Sequence, residues 1–313
     1  MAISILQMTA PVLITFLLGF FMKQKKLLSS EGLQGLKNLV SYITLPVVMF
    51  NAFLTATYSK TIFISCVTVF MLCVLALLLG FFLRRFVKPY GKYLPFLVTS
   101  FEGGMLGYAL YSLLYPDLPG QFAMVDIGQS LCAFTVFLTT LKGVNGEHTS
   151  LSSMFKNMIK NQMFIAITLG VTLGLLGVGD IVKTTPLGSV LLEIMRFLTA
   201  PTSAVILIVV GYELQFSKKL LKPVLITVAL RLVVMALLLI ISYFVIFAFV
   251  PYDTSLFVAF MLGFSLPASF IIPLFMQDKE KLGHEEYVST TLSLQTLCTI
   301  LLFIAISWFT LAA

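Results

Sequence analysis

Charge is scarce in this chain. Only 11% of its 313 residues are charged, where a soluble domain carries roughly a quarter, so a water-facing domain of ordinary size is excluded. Histidine (two), tryptophan (one) and cysteine (four) are sparse as well. Cys66, Cys73, Cys132 and Cys298 all lie in apolar stretches without metal-ligand spacing, and they read as small packing residues rather than a disulfide framework. His148 and His284 fall in charged loops and are expected to be solvated. A phosphate-binding glycine loop, a nucleophile elbow and a zincin helix are all missing. With no extramembrane stretch long enough for a catalytic domain, the sequence offers nothing for an enzyme and implies no cofactor. The first segment lacks a basic leader and a small-residue cleavage site, so it is expected to stay as a helix.

What the chain has in abundance is hydrophobic residues, 59% of the total, with a mean hydropathy of +1.04. That defines an all-α polytopic membrane protein whose first partner is the lipid bilayer. Because a span needs about 20 mostly apolar residues, we expect ten: 3–22, 34–56, 61–83, 93–115, 121–141, 162–180, 187–212, 224–250, 255–276 and 287–310. The net charge of +7 is not a nucleic-acid footprint, since the basic residues sit in the short gaps between apolar runs. Odd-numbered connections carry fifteen, among them Arg84, Arg85, Lys156, Lys160, Lys218, Lys279 and Lys281; even-numbered ones carry only Lys60 and Lys183. The positive-inside rule then puts the odd loops in the cytoplasm and both termini outside. Trp308, Tyr115 and Tyr252 fall at outer helix ends.

Gln129-Ser130-Leu131-Cys132 recurs as Gln295-Thr296-Leu297-Cys298, 166 positions later. Other features pair in the same order: Leu45-Pro46 in span 2 with Ala200-Pro201 in span 7, and the Ser100–Tyr108 stretch in span 4 with Ser265–Pro273 in span 9. A five-span unit followed by its copy enters the membrane from opposite sides, giving an inverted repeat. The expected organisation is a first repeat over 1–142, a cytoplasmic linker over 143–161 and a second, inverted repeat over 162–313.

Spans 4 and 9 carry the breakers, Gly103, Gly104 and Gly107 in one and Pro267 and Pro273 in the other. Irregular backbone at membrane depth survives only inside protein or beside a watery cavity. Two crossing breaks whose second halves aim their N-termini at one point would favour an anionic substrate. Glu102 is the sharpest candidate there. A carboxylate at mid-bilayer costs at least a few kcal/mol unless it is paired, hydrated or protonated, and it can hold a coupling proton or cation. Asp126, one turn before Gln129, reads equally well as an ion-site residue or an outer helix cap. Asn51, Gln129 and Gln295 offer amides, and Ala268 and Ser269 lie at the second break. Glu193 and Arg196 can pair along one face of span 7, while Arg231 is expected to snorkel toward the headgroups.

On Leu45–Phe50, the Ser100–Tyr108 break, Ala200-Pro201 through Gly211-Tyr212-Glu213-Leu214, and Pro267-Ala268-Ser269, the chain resembles the auxin efflux carrier family of plant PIN carriers and bacterial malate-permease-like proteins. The resemblance spans the whole chain and lacks the large central loop of the long plant carriers. It implies an architecture similar to that of bile-acid and sodium–proton carriers, with a scaffold of spans 1, 2, 6 and 7 forming a homodimer. Spans 3–5 and 8–10 would be the moving unit of an elevator, with substrate at the crossing of spans 4 and 9. The residue reading and the resemblance together make Glu102, Gly103, Gly104, Tyr108, Asn51, Gln129, Pro267, Ala268, Ser269 and Gln295 the substrate-binding candidates, and Glu102 and Asp126 the ion-coupling ones. Glu102 stands where the family usually has Asn, and Tyr108-Ala109 follows Gly107 where a Pro is usual. These departures point to a cation- or proton-coupled variant, with H+ or Na+ as coupling ion. The expected function is secondary transport of a small organic anion such as malate or an auxin-like acid. The alternatives are a sodium–proton exchanger and a non-transporting receptor on a transporter fold.

Overall fold

The structure is a computed structural model that describes residues 2–56, 58–146, 162–276 and 283–312. Most of the expected linker, with His148, Lys156 and Lys160, lies outside the described residues, as do Lys279 and Lys281. Among the described residues the secondary structure is entirely helical. In chain order the first half holds α1 (Ala2–Gln24), α2 (Ser30–Leu39), α3 (Leu45–Leu54), α4 (Lys60–Leu83), α5 (Leu94–Leu97), α6 (Tyr108–Leu114), α7 (Pro119–Cys132) and α8 (Leu138–Val144). The second half holds α9 (Gln162–Leu175), α10 (Val178–Thr184), α11 (Pro186–Thr199), α12 (Thr202–Glu213), α13 (Leu221–Phe247), α14 (Thr254–Ser265) and α15 (His284–Ala312).

Six continuous helical stretches are long and apolar enough to cross a membrane: Ser30–Leu54, Lys60–Val87, Pro119–Val144, Pro186–Glu213, Lys218–Phe247 and His284–Thr310. The pair α9 and α10, bent by 80° at its break, makes a seventh if counted as one span. Thr9–Gln24 and Thr254–Ser265 are shorter apolar helices. Large side chains such as Phe63, Leu78, Phe82, Phe197 and Phe244, between 61% and 83% exposed, face outward where lipid would receive them. This is an integral membrane protein.

Local chemistry sets the breaks. Pro46 sits in the first turn of α3, where its missing N–H is harmless, and a π-helical turn over Val40–Thr44 joins it to α2. Pro201 occupies the matching kink between α11 and α12. Ser59 caps α4 by accepting from Thr61 N, and Asp253 caps α14 by accepting from Leu256 N at 3.0 Å. Glycine lets backbones touch: a Cβ on Gly19 of α1 would meet Ile208 O of α12, and one on Gly211 of α12 would meet Phe16 O of α1. By the same device α9 lies against α3, with Gly170 facing Phe50 O. The remaining long helices α4, α7, α13, α14 and α15 pack on one another around α5 and α6.

His284 corrects one expectation. It is 5% exposed at the start of α15, with the rings of Tyr90 and Tyr93 edge-on to it at 6.1 and 5.3 Å. The aromatic floor formed by the Tyr90–Tyr93 turn shields it from the solvent that its loop position suggested.

Candidate functional site

Two interrupted helices meet at the centre of this second group. The first leaves helical geometry after Leu97, and Ser100 takes a positive φ of 56°. A π-helical turn at Gly103–Gly107 then restarts the helix into α6. The second ends at Ser265, runs non-helically from Leu266, and regains only a short 3-10 turn at Ile272–Leu274. Here the sequence reading needs correcting: among the described residues a restarted helix follows only the first break. Glu102 N donates to Pro267 O at 2.9 Å, so the two breaks touch through their backbones.

Glu102 spans both breaks. Its Oε1 accepts from Met105 N at 3.2 Å, capping the restarted helix. Its Oε2 accepts from Phe270 N at 2.7 Å and from Ser269 Oγ at 3.4 Å across the crossing. Three donors converge on one carboxylate, two of them backbone N–H groups and one at a helix N-terminus, where negative charge is favoured. The polar end that was expected to await an anion is already occupied by a carboxyl group of the protein itself.

Arg231 holds the opposite, carbonyl side. It is 3% exposed, with Nη1 donating to Leu97 O (3.2 Å) and Thr99 O (3.3 Å), and Nη2 to Ser100 O and Leu266 O (2.8 Å each). The snorkelling expectation fails because α13 begins at Leu221. That puts Arg231 ten residues, about 15 Å, into the helix, halfway through a hydrocarbon core of about 30 Å. Starting the span at 224, three residues past the helix start, had brought Arg231 nearer its end.

The repeated glutamines turn out to be clamps. Gln129 Nε2 donates to Ser100 Oγ (2.7 Å) and Phe101 O (2.5 Å), while Gln295 donates to Leu97 O (3.0 Å) and accepts from Ala268 N (2.9 Å). Thr299, which the sequence reading passed over, donates to Ser265 O at 2.6 Å.

Glu102 and Gln129 open onto a cavity of about 590 Å³, together with Gly103, Gly104, Ser130 and Ser269. Its far walls include Met49, Phe134, Ser293 and Thr296, and near the α2 and α12 ends it meets the Lys37–Glu213 ion pair. The volume suits a small organic molecule, and the wall mixes hydroxyls with apolar and aromatic surface. Other expected site residues stand elsewhere. Tyr108 is 2% exposed and packs on Phe122 with ring centroids 4.9 Å apart. Pro267, Ala268 and Gln295 build the crossing rather than the cavity wall. Asn51 lies outside the lining, its Oδ1 without a hydrogen-bond partner. Asp126 is fully buried behind Gly103, seven residues inside α7, which rules out the outer-cap reading. Its Oδ2 accepts from Ser130 Oγ at 3.4 Å, and Oδ1 has no hydrogen-bond partner.

Apolar spanning helices, an interrupted pair touching at its centre and a cavity beside a buried carboxylate make an arrangement suited to membrane transport. Residues 4–142 match the family model described as membrane transport protein, the family of the auxin efflux carriers. That family is one of transporters, not of enzymes. No curated protein matches the chain.

Proposed function

We propose that the protein is a secondary carrier of a small organic carboxylate, coupled to protons through Glu102. The observation that carries this is the placement of Glu102: its carboxylate occupies the donor set that a substrate carboxylate would use, at the wall of the cavity. An ionised Glu102 and an incoming anion compete for Met105 N, Phe270 N and Ser269 Oγ. When Glu102 takes a proton, its hold on those donors weakens and the substrate carboxylate replaces it. Anion and proton then cross together and leave together.

In this reading the chain has ten spans as two inverted fives, with Ala2–Gln24, the two broken helices and the bent α9–α10 pair completing the set. The mutual packing of α1 on α12 and α9 on α3 supports a scaffold of spans 1, 2, 6 and 7, because exchanging the halves exchanges the two contacts. The helices around the crossing form the moving unit of an elevator. A homodimer through the scaffold would cover α11, where Glu193 and Arg196 pair at 3.8 Å while 73% and 81% exposed. Both termini lie outside the cytoplasm.

Uptake of labelled malate and a panel of other carboxylates into proteoliposomes tests the reading. An inward proton gradient is expected to drive uptake of at least one of them, and Glu102→Gln to lose that dependence. A Glu102→Gln variant with full, pH-dependent uptake would remove Glu102 from the coupling. Sodium–proton exchange is favoured by one observation, the unpartnered Oδ1 of Asp126 beside Gly103. Internal pH that responds to sodium while no carboxylate moves would establish it instead.

A further inference from the structure

The carbonyl side of the crossing is chemically closed. Leu97 O, Thr99 O, Ser100 O and Leu266 O all accept from Arg231, and Leu97 O also from Gln295. The adjoining carbonyls are occupied too: Phe101 by Gln129, Ser265 by Thr299 and Pro267 by Glu102 N. In carriers built from inverted repeats, unwound carbonyls and half-helix C-termini are where a coupling cation is coordinated. In this protein a guanidinium, which stays charged at any working pH, takes that position. Among the described residues the ion pairs are Lys37–Glu213 and Arg196–Glu193. Arg231 belongs to neither, and its charge is balanced by carbonyl dipoles at the two breaks. A sodium ion entering there would have to displace the guanidinium from oxygens it already fills, against like-charge repulsion strengthened by the low dielectric.

We infer that Arg231 is a resident counter-cation standing where a coupling sodium would bind, so that the crossing works without sodium. The guanidinium ties both breaks to α13, and the three move as one body. This rests on the carrier reading above and excludes sodium as a coupling ion beside the proton.

Two readouts separate this inference from that reading. The first is thermal unfolding of the purified full-length protein in detergent, in sodium, potassium or choline chloride at equal ionic strength. Wild type is expected to unfold at the same temperature in all three. Arg231→Ala is expected to unfold several degrees lower and to recover part of the loss with millimolar guanidinium, a concentration too low to denature; Arg231→Lys, which reaches fewer carbonyls, falls between. A saturable sodium-specific rise in the wild-type midpoint, or an Arg231→Ala midpoint equal to wild type, overturns the inference. If Arg231→Ala does not fold, the wild-type salt comparison and Arg231→Lys decide it. The second readout is proton-driven carboxylate uptake with external sodium replaced by N-methylglucamine, expected to agree within twofold; a fivefold or greater loss overturns the inference. If no carboxylate is taken up at all, the functional reading fails, while the unfolding comparison still decides the role of Arg231.

Discussion

In the first break the chain leaves the helix after Leu97, and Gln129 from α7 fastens Ser100 and Phe101. In the second it leaves after Ser265, and Gln295 from α15 fastens Ala268 and reaches across to Leu97. Each break thus has a glutamine clamp placed one element later in the chain. The charges do not repeat. Glu102 and Asp126 belong to the first half, and at the second break Ala268 and Ser269 bring no ionisable group. Arg231, from the second half, has the uncharged Ser65 of α4 at the position 166 residues earlier. The two interrupted helices are clamped alike, but the asymmetric charges give one break a carboxylate and leave the other to be held by a cation from α13. The family match covers the half that carries the carboxylates.

The sharpest way to break this comparison is to remove the charge that only one half has. Glu102→Ala leaves Met105 N and Phe270 N without their carboxylate, and uptake driven by a proton gradient is expected to fall at least tenfold. Ala268→Glu, at the second break, is expected not to restore it in the Glu102→Ala background, because the restarted helix that Glu102 caps follows the first break. Recovery of gradient-driven uptake by that double variant would show the two breaks to be interchangeable.

Next in size is Gly103→Ala. A Cβ there would run into Asp126 Oδ1 and lie 2.9 Å from its Cγ, and overpacking a tight site costs about 1–3 kcal/mol. The unfolding midpoint is expected to fall clearly, and Asp126→Ala in the same chain to return part of the loss, since contacting residues are non-additive. Gly143→Ala is the control: a Cβ there meets nothing within 4 Å, and the helix should gain up to about 1 kcal/mol.

The clamps themselves come third. Gln129→Ala strands the Ser100 hydroxyl, since Phe101 O keeps Gly103 N, and Gln295→Ala strands Ala268 N, since Leu97 O keeps Arg231, at about 1–3 kcal/mol apiece. Gln295→Ala is expected to unfold at the lower temperature, because Gln295 joins the two breaks whereas Gln129 serves one. Equal midpoints would mean that the cross-link between breaks adds nothing.

The two breaks and the place of Glu102 between them were legible in the sequence because each leaves a local mark, Gly and Pro at membrane depth and an isolated acid in an apolar run; the recurring tetrapeptide marked the two glutamines that clamp the breaks. Arg231 left a mark that pointed the wrong way. Its depth depends on where α13 starts, and the basic run Lys218–Lys222 made the span look as if it began at 224, when the helix already begins at Leu221. What it touches depends on the meeting of Leu97–Ser100 with Leu266, a contact between residues more than 160 positions apart. His284 misled for a related reason, since its burial comes from Tyr90 and Tyr93 in a distant turn. Tyr108 was a site candidate through the resemblance at the first break, but successive positions on a helix point to different sides, and its ring packs on Phe122 instead.

The smallest expected effect belongs to Ser269→Ala, and it tests whether backbone or side chain holds the anion. The hydroxyl lies 3.4 Å from Glu102 Oε2, whereas Phe270 N lies 2.7 Å from the same oxygen. A bond that long is near the limit of a hydrogen bond, so its loss should cost at most about 0.5 kcal/mol and change uptake by no more than about twofold. The unfolding midpoint should hardly move, because Phe270 N and Met105 N still grip the carboxylate. If Ser269→Ala instead weakens half-saturation for substrate severalfold while the midpoint stays fixed, the hydroxyl is a direct substrate contact. In that case the second break supplies specificity to the site that the first break charges, and the division of labour between the halves is sharper than their shared frame suggests.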